Sequence, residues 1–277
     1  MNVNAVNSYS QISYLQKDKV ENNRTMIKKT LSSDVFVPNS KNPTFCASPA
    51  YKVIDMSTWA GKEVYDIFAK TKNPFVGVTS DVDVKNLVKL AKEKHTTVNT
   101  LVMYAIGKAV NSIGQFRLRM VDGKLVEFDK SCMSIPVPAE GKPGYFNFSD
   151  YFEFDPNLDK FIKNARTAID ESKTRKGMYP SAPREDAVFL SHLKNHYKAV
   201  SNPNNGEGDL FPRINWGTPE KNGGTLFSKG KMLMPLTVDA HHSTISGYHM
   251  QKFFEIFQET CNKDLKPQSL KDKIFHL

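Results

Sequence analysis

Two adjacent histidines, His241 and His242, close a run in which apolar residues alternate. Met232, Met234, Leu236, Val238 and Ala240 fall on one side of an extended chain, with Thr237 and Asp239 on the other. This period predicts a strand over Lys231 to His242, ending where Ser243-Thr244-Ile245-Ser246-Gly247 turns the chain. Imidazole is the side chain whose ordinary pKa suits proton transfer near neutral pH, and a strand end at the edge of a core holds it rigidly. If the alternation continues, His242 lies on the apolar side. General-base chemistry is one reading of His242; a packed or hydrogen-bonded structural histidine is the other. A metal site of His241, His242 and His249 is disfavoured, because neighbours on a strand point to opposite faces. No G-x-S-x-G elbow occurs to supply a serine nucleophile.

The elements that must position such a histidine follow from period and punctuation. Val84, Leu87, Val88 and Ala91 share one face of a helix predicted over Val82 to Lys94. A denser apolar helix is predicted over Thr100 to Ile113, with Asn99 as its cap, and a third over Pro156 to Ser172. The last covers Tyr248 to Cys261, where Met250, Phe253, Phe254, Phe257 and Cys261 form a packing stripe. Strands are predicted at Phe75 to Thr79, Lys124 to Phe128, Tyr145 to Phe154 and Val188 to Leu193, and Asp122-Gly123 closes a hairpin between Leu118-Met120 and Leu125-Phe128. Strands and helices without strict alternation give an α+β domain over residues 49 to 277. Residues 1 to 48, rich in Asn, Ser, Lys and Thr and ending in a Pro/Asn/Ser cluster, read as a flexible arm.

Composition excludes several classes of function. Cys46, Cys132 and Cys261 are widely spaced and form no C-x-x-C, so neither a disulfide framework nor a zinc site is indicated, and a reducing cytoplasm is expected. No run reaches a membrane span, and residues 1 to 16 lack the pattern of a secretory leader. Lysine and arginine exceed aspartate and glutamate by 38 to 29, a balance that suits nucleic acid, a membrane surface or the phosphates of a nucleotide cofactor, with an ordinary solvated surface as the other reading. The basic residues are scattered, with no dense stretch interleaved with aromatics, so nucleic acid is not the expected partner.

The run Leu233-Met234-Pro235-Leu236, the sequence His241-His242-x-x-x-Ser246-Gly247-Tyr248-His249 and the aromatic helix after it resemble the signature of chloramphenicol acetyltransferases. So do Asp55-Met56-Ser57-Thr58-Trp59 with Lys62-Glu63 and Phe68, the hairpin from Phe116 to Val126, and Phe211-Pro212-Arg213-Ile214-Asn215-Trp216-Gly217. The resemblance spans residues 51 to 265. It implies a two-layer α+β fold with a mixed sheet and packed helices, and a homotrimer with active sites between subunits. It also implies acetyl-CoA as co-substrate without a metal, and a small hydroxylated acceptor such as chloramphenicol, with antibiotic resistance as the associated role. His242 then falls on the family's base. A catalytically degenerate trimeric binding protein is the alternative.

The departures are as specific as the matches. The family's aspartate, four residues after the base, is Ser246 here, and its arginine partner falls on Gly61. Loss of both partners of a buried ion pair is nearly neutral, whereas loss of one costs about 3–5 kcal/mol. The family's oxyanion serine falls on Tyr197, or on His196 with a slip of one, and a threonine near the reaction centre falls on Asn215. All of these can donate hydrogen bonds. Tyr145, Phe146 and Phe148 fall on aromatic acceptor contacts, with Phe68 in the same group, although an aromatic core strand would account for the first three equally well.

Overall fold

The computed structural model of the protein describes residues 49–180, 183–206, 208–221 and 230–267, so the arm expected over residues 1 to 48 lies outside the described residues. The chain runs β1 (Tyr51–Val53), α1 (Lys62–Phe68), β2 (Phe75–Asp83), α2 (Lys85–Glu93) and α3 (Val98–Ser112). A 3-10 turn (Gly114–Arg117) leads to β3 (Leu118–Val121), β4 (Lys124–Phe128), β5 (Cys132–Ser134), β6 (Pro136–Pro138), β7 (Phe146–Phe148) and β8 (Phe152–Glu153). Then come α4 (Leu158–Lys173), β9 (Ala187–His192), β10 (Arg213–Trp216), β11 (Glu220–Lys221), β12 (Met232–His241) and α5 (Gly247–Asn262).

The alternation that predicts β12 also explains its place at the centre of the fold. Met234, Leu236, Val238 and Ala240 are buried in the core cluster with Leu101, Ala105 and Ile106 of α3 and Met250, Phe253 and Phe257 of α5. One edge of β12 pairs along its length with β2, from Leu233↔Asp83 to His241↔Phe75. Its other edge pairs with β11 and β10, and the sheet continues through β9 and β5 to β8. It is a mixed sheet: β9 runs parallel to both β10 and β5, and the other pairs are antiparallel. This is the expected two-layer α+β architecture. A smaller sheet, β1-β4-β3, carries its own apolar cluster of Leu118, Leu125 and Leu210 with Trp59, Tyr65 and Met120 packed on it.

Several boundaries differ from the sequence reading for identifiable reasons. Val82 belongs to β2, whose pairing with β12 carries the strand to Asp83, so α2 begins only at Lys85. Thr97, not Asn99, caps α3, its hydroxyl accepting the Thr100 N–H at 3.1 Å. Asn99 is used elsewhere, accepting the buried Trp216 indole N–H at 3.0 Å. Asn157 caps α4 and leaves Pro156 outside. The strand predicted over Tyr145 to Phe154 is two short strands, because Ser149 turns away to bond its Oγ to Ile135 N–H and its carbonyl to Ser134 Oγ. The Asp122-Gly123 hairpin forms as predicted, with φ of 48° and 74° at the two turn residues. Among the described residues, no helix is long and apolar enough to cross a membrane.

Candidate active site

His242 sits one residue past the end of β12. The sheet ladder stops at His241, and the His242 N–H instead donates to Pro74 O at 2.7 Å, so the period-two alternation does not extend to it. Its ring is half-buried beside Phe68 at the end of α1, not on the core face of the sheet as the alternation implied. The two rings stack at 4.2 Å between centroids with 20° between planes. His242 Nδ1 lies 3.1 Å from the Ile245 carbonyl oxygen. A carbonyl only accepts, so Nδ1 carries the proton and Nε2 presents a lone pair. This arrangement can take a proton from a hydroxyl.

The turn that makes this contact is tightly specified. Thr244 and Ile245 N–H groups both bond back to His241 O at 3.1 Å, and Ile245 is buried in the core. Ser246 then caps α5 in a reciprocal box: its side chain accepts the His249 N–H, and its own N–H donates to His249 Nδ1 at 3.1 Å. Ser246, in the place of the family's aspartate, thus has a local partner. Gly61 is equally committed, because a Cβ there would come within 2.4 Å of the Trp59 ring. The indole occupies the space where a side chain at position 61 would begin.

His241 takes a structural part, on the sheet face opposite the helices. Its Nδ1 accepts from Ser243 N–H at 3.2 Å and pairs with Ser243 Oγ at 2.7 Å, and its ring meets Phe75 edge to face. Burial holds its pKa down at about 4, against a smaller upward pull from Asp209. Thr237 and Asp239 share this face and are buried as well, contrary to the usual exposure of a polar strand face. The loop after β9 covers them: Asn202 donates to Asp239 Oδ2 from its backbone at 3.2 Å and from its side chain at 2.5 Å. Among the described residues there is no group of three or more metal-ligating side chains.

The other predicted residues fall into two separate groups within one chain. Tyr197 and Asn215 are together, the Tyr197 hydroxyl donating to the Asn215 carbonyl at 2.8 Å. Burial pushes the Tyr197 phenol up, opposed by hydrogen bonds from Thr237, so it stays protonated with its one proton spent. Asn215 is buried, and its Nδ2 has no acceptor among the described residues. His196, the alternative to Tyr197, faces Asp81 at 3.6 Å. Asn215 pairs with Thr237, five residues before His242, which puts it roughly 16 Å away along the strand.

The second group is an aromatic surface on the β6–β7 hairpin. Phe146 packs edge to face on Phe148 at 5.5 Å, and Tyr179 stacks on Phe148 at 5.2 Å. Phe148 also meets Phe189 of β9. Tyr145 is 69% exposed just before β7, outside any strand, with its carbonyl accepting the Ala139 N–H at 3.1 Å. The sequence reading passed over Tyr179 and the Ser246–His249 box. The serine-to-histidine spacing of three is the signal that could have found the box, with histidine where glutamate or glutamine is usual.

Comparison with known proteins was made on both sequence and fold. A family model described as chloramphenicol acetyltransferase matches residues 49–258. The chain is 25% identical over 215 residues to a chloramphenicol acetyltransferase of Proteus mirabilis, covering 77% of this chain and 96% of that one. It is 23% identical over 219 residues to chloramphenicol acetyltransferase 3 of Escherichia coli, covering 78% and 99%. The fold superposes on a solved chloramphenicol acetyltransferase with a TM-score of 0.67 at 24% identity, over 79% of this chain and 100% of the other. A dihydrolipoamide acetyltransferase of Azotobacter vinelandii follows at a TM-score of 0.54 and 12% identity, over 83% and 98%.

Proposed function

The chain belongs to the chloramphenicol acetyltransferase family of CoA-dependent acetyltransferases, and from that membership we propose that it transfers an acetyl group from acetyl-CoA to a hydroxyl of a small acceptor, with His242 as the general base. The observation that carries this reading is the fixed tautomer of His242, with Nδ1–H held by Ile245 O, Phe68 stacked on the ring and Nε2 left as the acceptor. Nε2 takes the acceptor's hydroxyl proton as its oxygen attacks the thioester carbonyl. The tetrahedral oxyanion then collapses, the C–S bond breaks, and the proton returns from Nε2 to the departing CoA sulfur. The thioester is already activated, so no covalent acyl-enzyme is required. The protein supplies a base, alignment and stabilisation of the oxyanion.

Asn215 Nδ2, fully covered in the single chain, becomes the donor for that oxyanion once substrate binding parts the side chains over it. A buried amide N–H without an acceptor is costly to maintain, and a developing negative charge would satisfy it. Since Asn215 and His242 are far apart within one chain, the base and the donor meet across an interface between copies, in a homotrimer. Phe146, Phe148 and Tyr145 offer an aromatic surface for the acceptor at the same junction, which suits chloramphenicol or another ring-bearing alcohol.

Free-thiol release from acetyl-CoA, measured across a panel of hydroxylated acceptors including chloramphenicol, tests the proposal. The wild-type protein should turn over at least one acceptor, and His242→Ala should fall to the uncatalysed rate. Equal background rates in both proteins would leave a binding scaffold instead of an enzyme. Sedimentation equilibrium returning a monomer at assay concentration would rule out the shared site.

A further inference from the structure

We propose that His249 is a positioning residue for His242, acting through the single peptide group between Ile245 and Ser246. This inference rests on His242 being the base. The Ile245 carbonyl that accepts from His242 Nδ1 and the Ser246 N–H that donates to His249 Nδ1 belong to the same peptide bond. A peptide group is planar, with a barrier of about 18–20 kcal/mol to twisting, so its C=O and N–H cannot be aimed independently. Holding the N–H on His249 therefore fixes the direction of the C=O on His242.

The two rings have complementary proton positions. His242 donates from Nδ1, which leaves Nε2 as a base, whereas His249 accepts at Nδ1, which places its proton on Nε2. The peptide relays hydrogen bonding from one imidazole to the other, and each bond polarises the next. Both ends of the relay are anchored. Ile245 is buried in the core, and the Ser246 side chain accepts the His249 backbone N–H, which sets the histidine in the first turn of α5. Ser246 Oγ lies 3.1 Å from His249 Nδ1 and steadies the same ring. With Ser246 and Gly61 in place of an ion pair, this box fixes the turn after the base.

Two nearly isosteric variants separate an acceptor role from a packing role. Gln at position 249 keeps an acceptor oxygen, and it is a usual residue of the capping box; Met keeps the length and the helix propensity but cannot accept strongly. We expect H249M to lower kcat roughly tenfold or more with KM for both substrates little changed, and H249Q to stay within about threefold of wild type. Long-range 15N–1H spectra should show His242 protonated at Nδ1 in wild type and H249Q, and a tautomer mixture in H249M. Equal losses in the two variants, or no loss in either, would overturn the role of His249. His242→Ala runs beside them. If it is inactive while H249M has wild-type kcat, the relay fails and the catalytic reading stands. If it matches wild type, the catalytic reading fails, and the His242 tautomer in H249M alone decides the relay: an unchanged spectrum overturns it.

Discussion

Gly61→Ala should destabilise the protein, although glycine to alanine at this backbone geometry normally helps. Gly61 has φ −82° and ψ 0°, open to any residue, and reducing the freedom of the unfolded chain there is worth about 0.4–1 kcal/mol. The opposing effect is steric. An added Cβ would lie 2.4, 2.6 and 2.8 Å from Trp59 Cζ2, Cη2 and Cε2, where carbon contacts settle near 3.5–4.0 Å. The indole must retreat by about 1 Å, yet it packs against Tyr65 and the small cluster around Leu118, Leu125 and Leu210. Overpacking of this kind costs about 1–3 kcal/mol, so the net loss is roughly 0–2.6 kcal/mol. Urea denaturation at constant m-value reads it directly. The same substitution in a Trp59→Leu background should be neutral or stabilising, because the collision is gone. An identical change in both backgrounds, or a stabilised G61A, would refute the reasoning. The pair G61R and S246D, which restores the family's ion pair on paper, meets the same obstacle and should lose stability.

Three further outcomes follow from the same geometry. Phe68→Ala removes the ring that stacks on His242 and should cut kcat by roughly tenfold through loss of alignment; steady-state rates at saturating substrates that match wild type would count against it. Asn99→Ala leaves the buried Trp216 N–H without its acceptor and should cost about 1–3 kcal/mol in thermal or urea unfolding, while substitution of a surface asparagine should cost little. His241 should make the protein acid-sensitive. The folded state holds its pKa at about 4 against 6.5 in the unfolded chain, so the unfolded chain binds a proton that the folded one refuses. Its contribution is complete above pH 6.5 and is lost as pH falls toward 4, by at most about 3 kcal/mol. His241→Gln should flatten stability against pH in that window, and an unchanged slope would remove His241 as the cause.

Much of the scaffold was legible because it depends on local periods. The alternation from Met232 to Ala240 specified β12 and its buried face, and Asp122-Gly123 specified the hairpin, since both reflect the backbone geometry of neighbouring residues. Helix ends were read less well. Asn99 and Thr97 are both capable caps, and what decided between them was a distant indole that needed the Asn99 oxygen. The burial of the polar face of β12 was not legible, because nothing in its own sequence announced that Asn202 would fold over Asp239.

The sequence by itself determined that His242 stands at a strand end, just before an aromatic helix. Only the tertiary structure decided what that histidine can do. Phe68 comes from far along the chain to stack on it, and Trp59 fills the space that an arginine would need at Gly61. Asn215 of β10 and Tyr197 in the loop after β9, which similarity groups with the same site, lie elsewhere in the fold. Capping and alternation are free energies of neighbouring residues and can be read in order along the chain. The orientation of an imidazole is set by rings and carbonyls that only packing brings together.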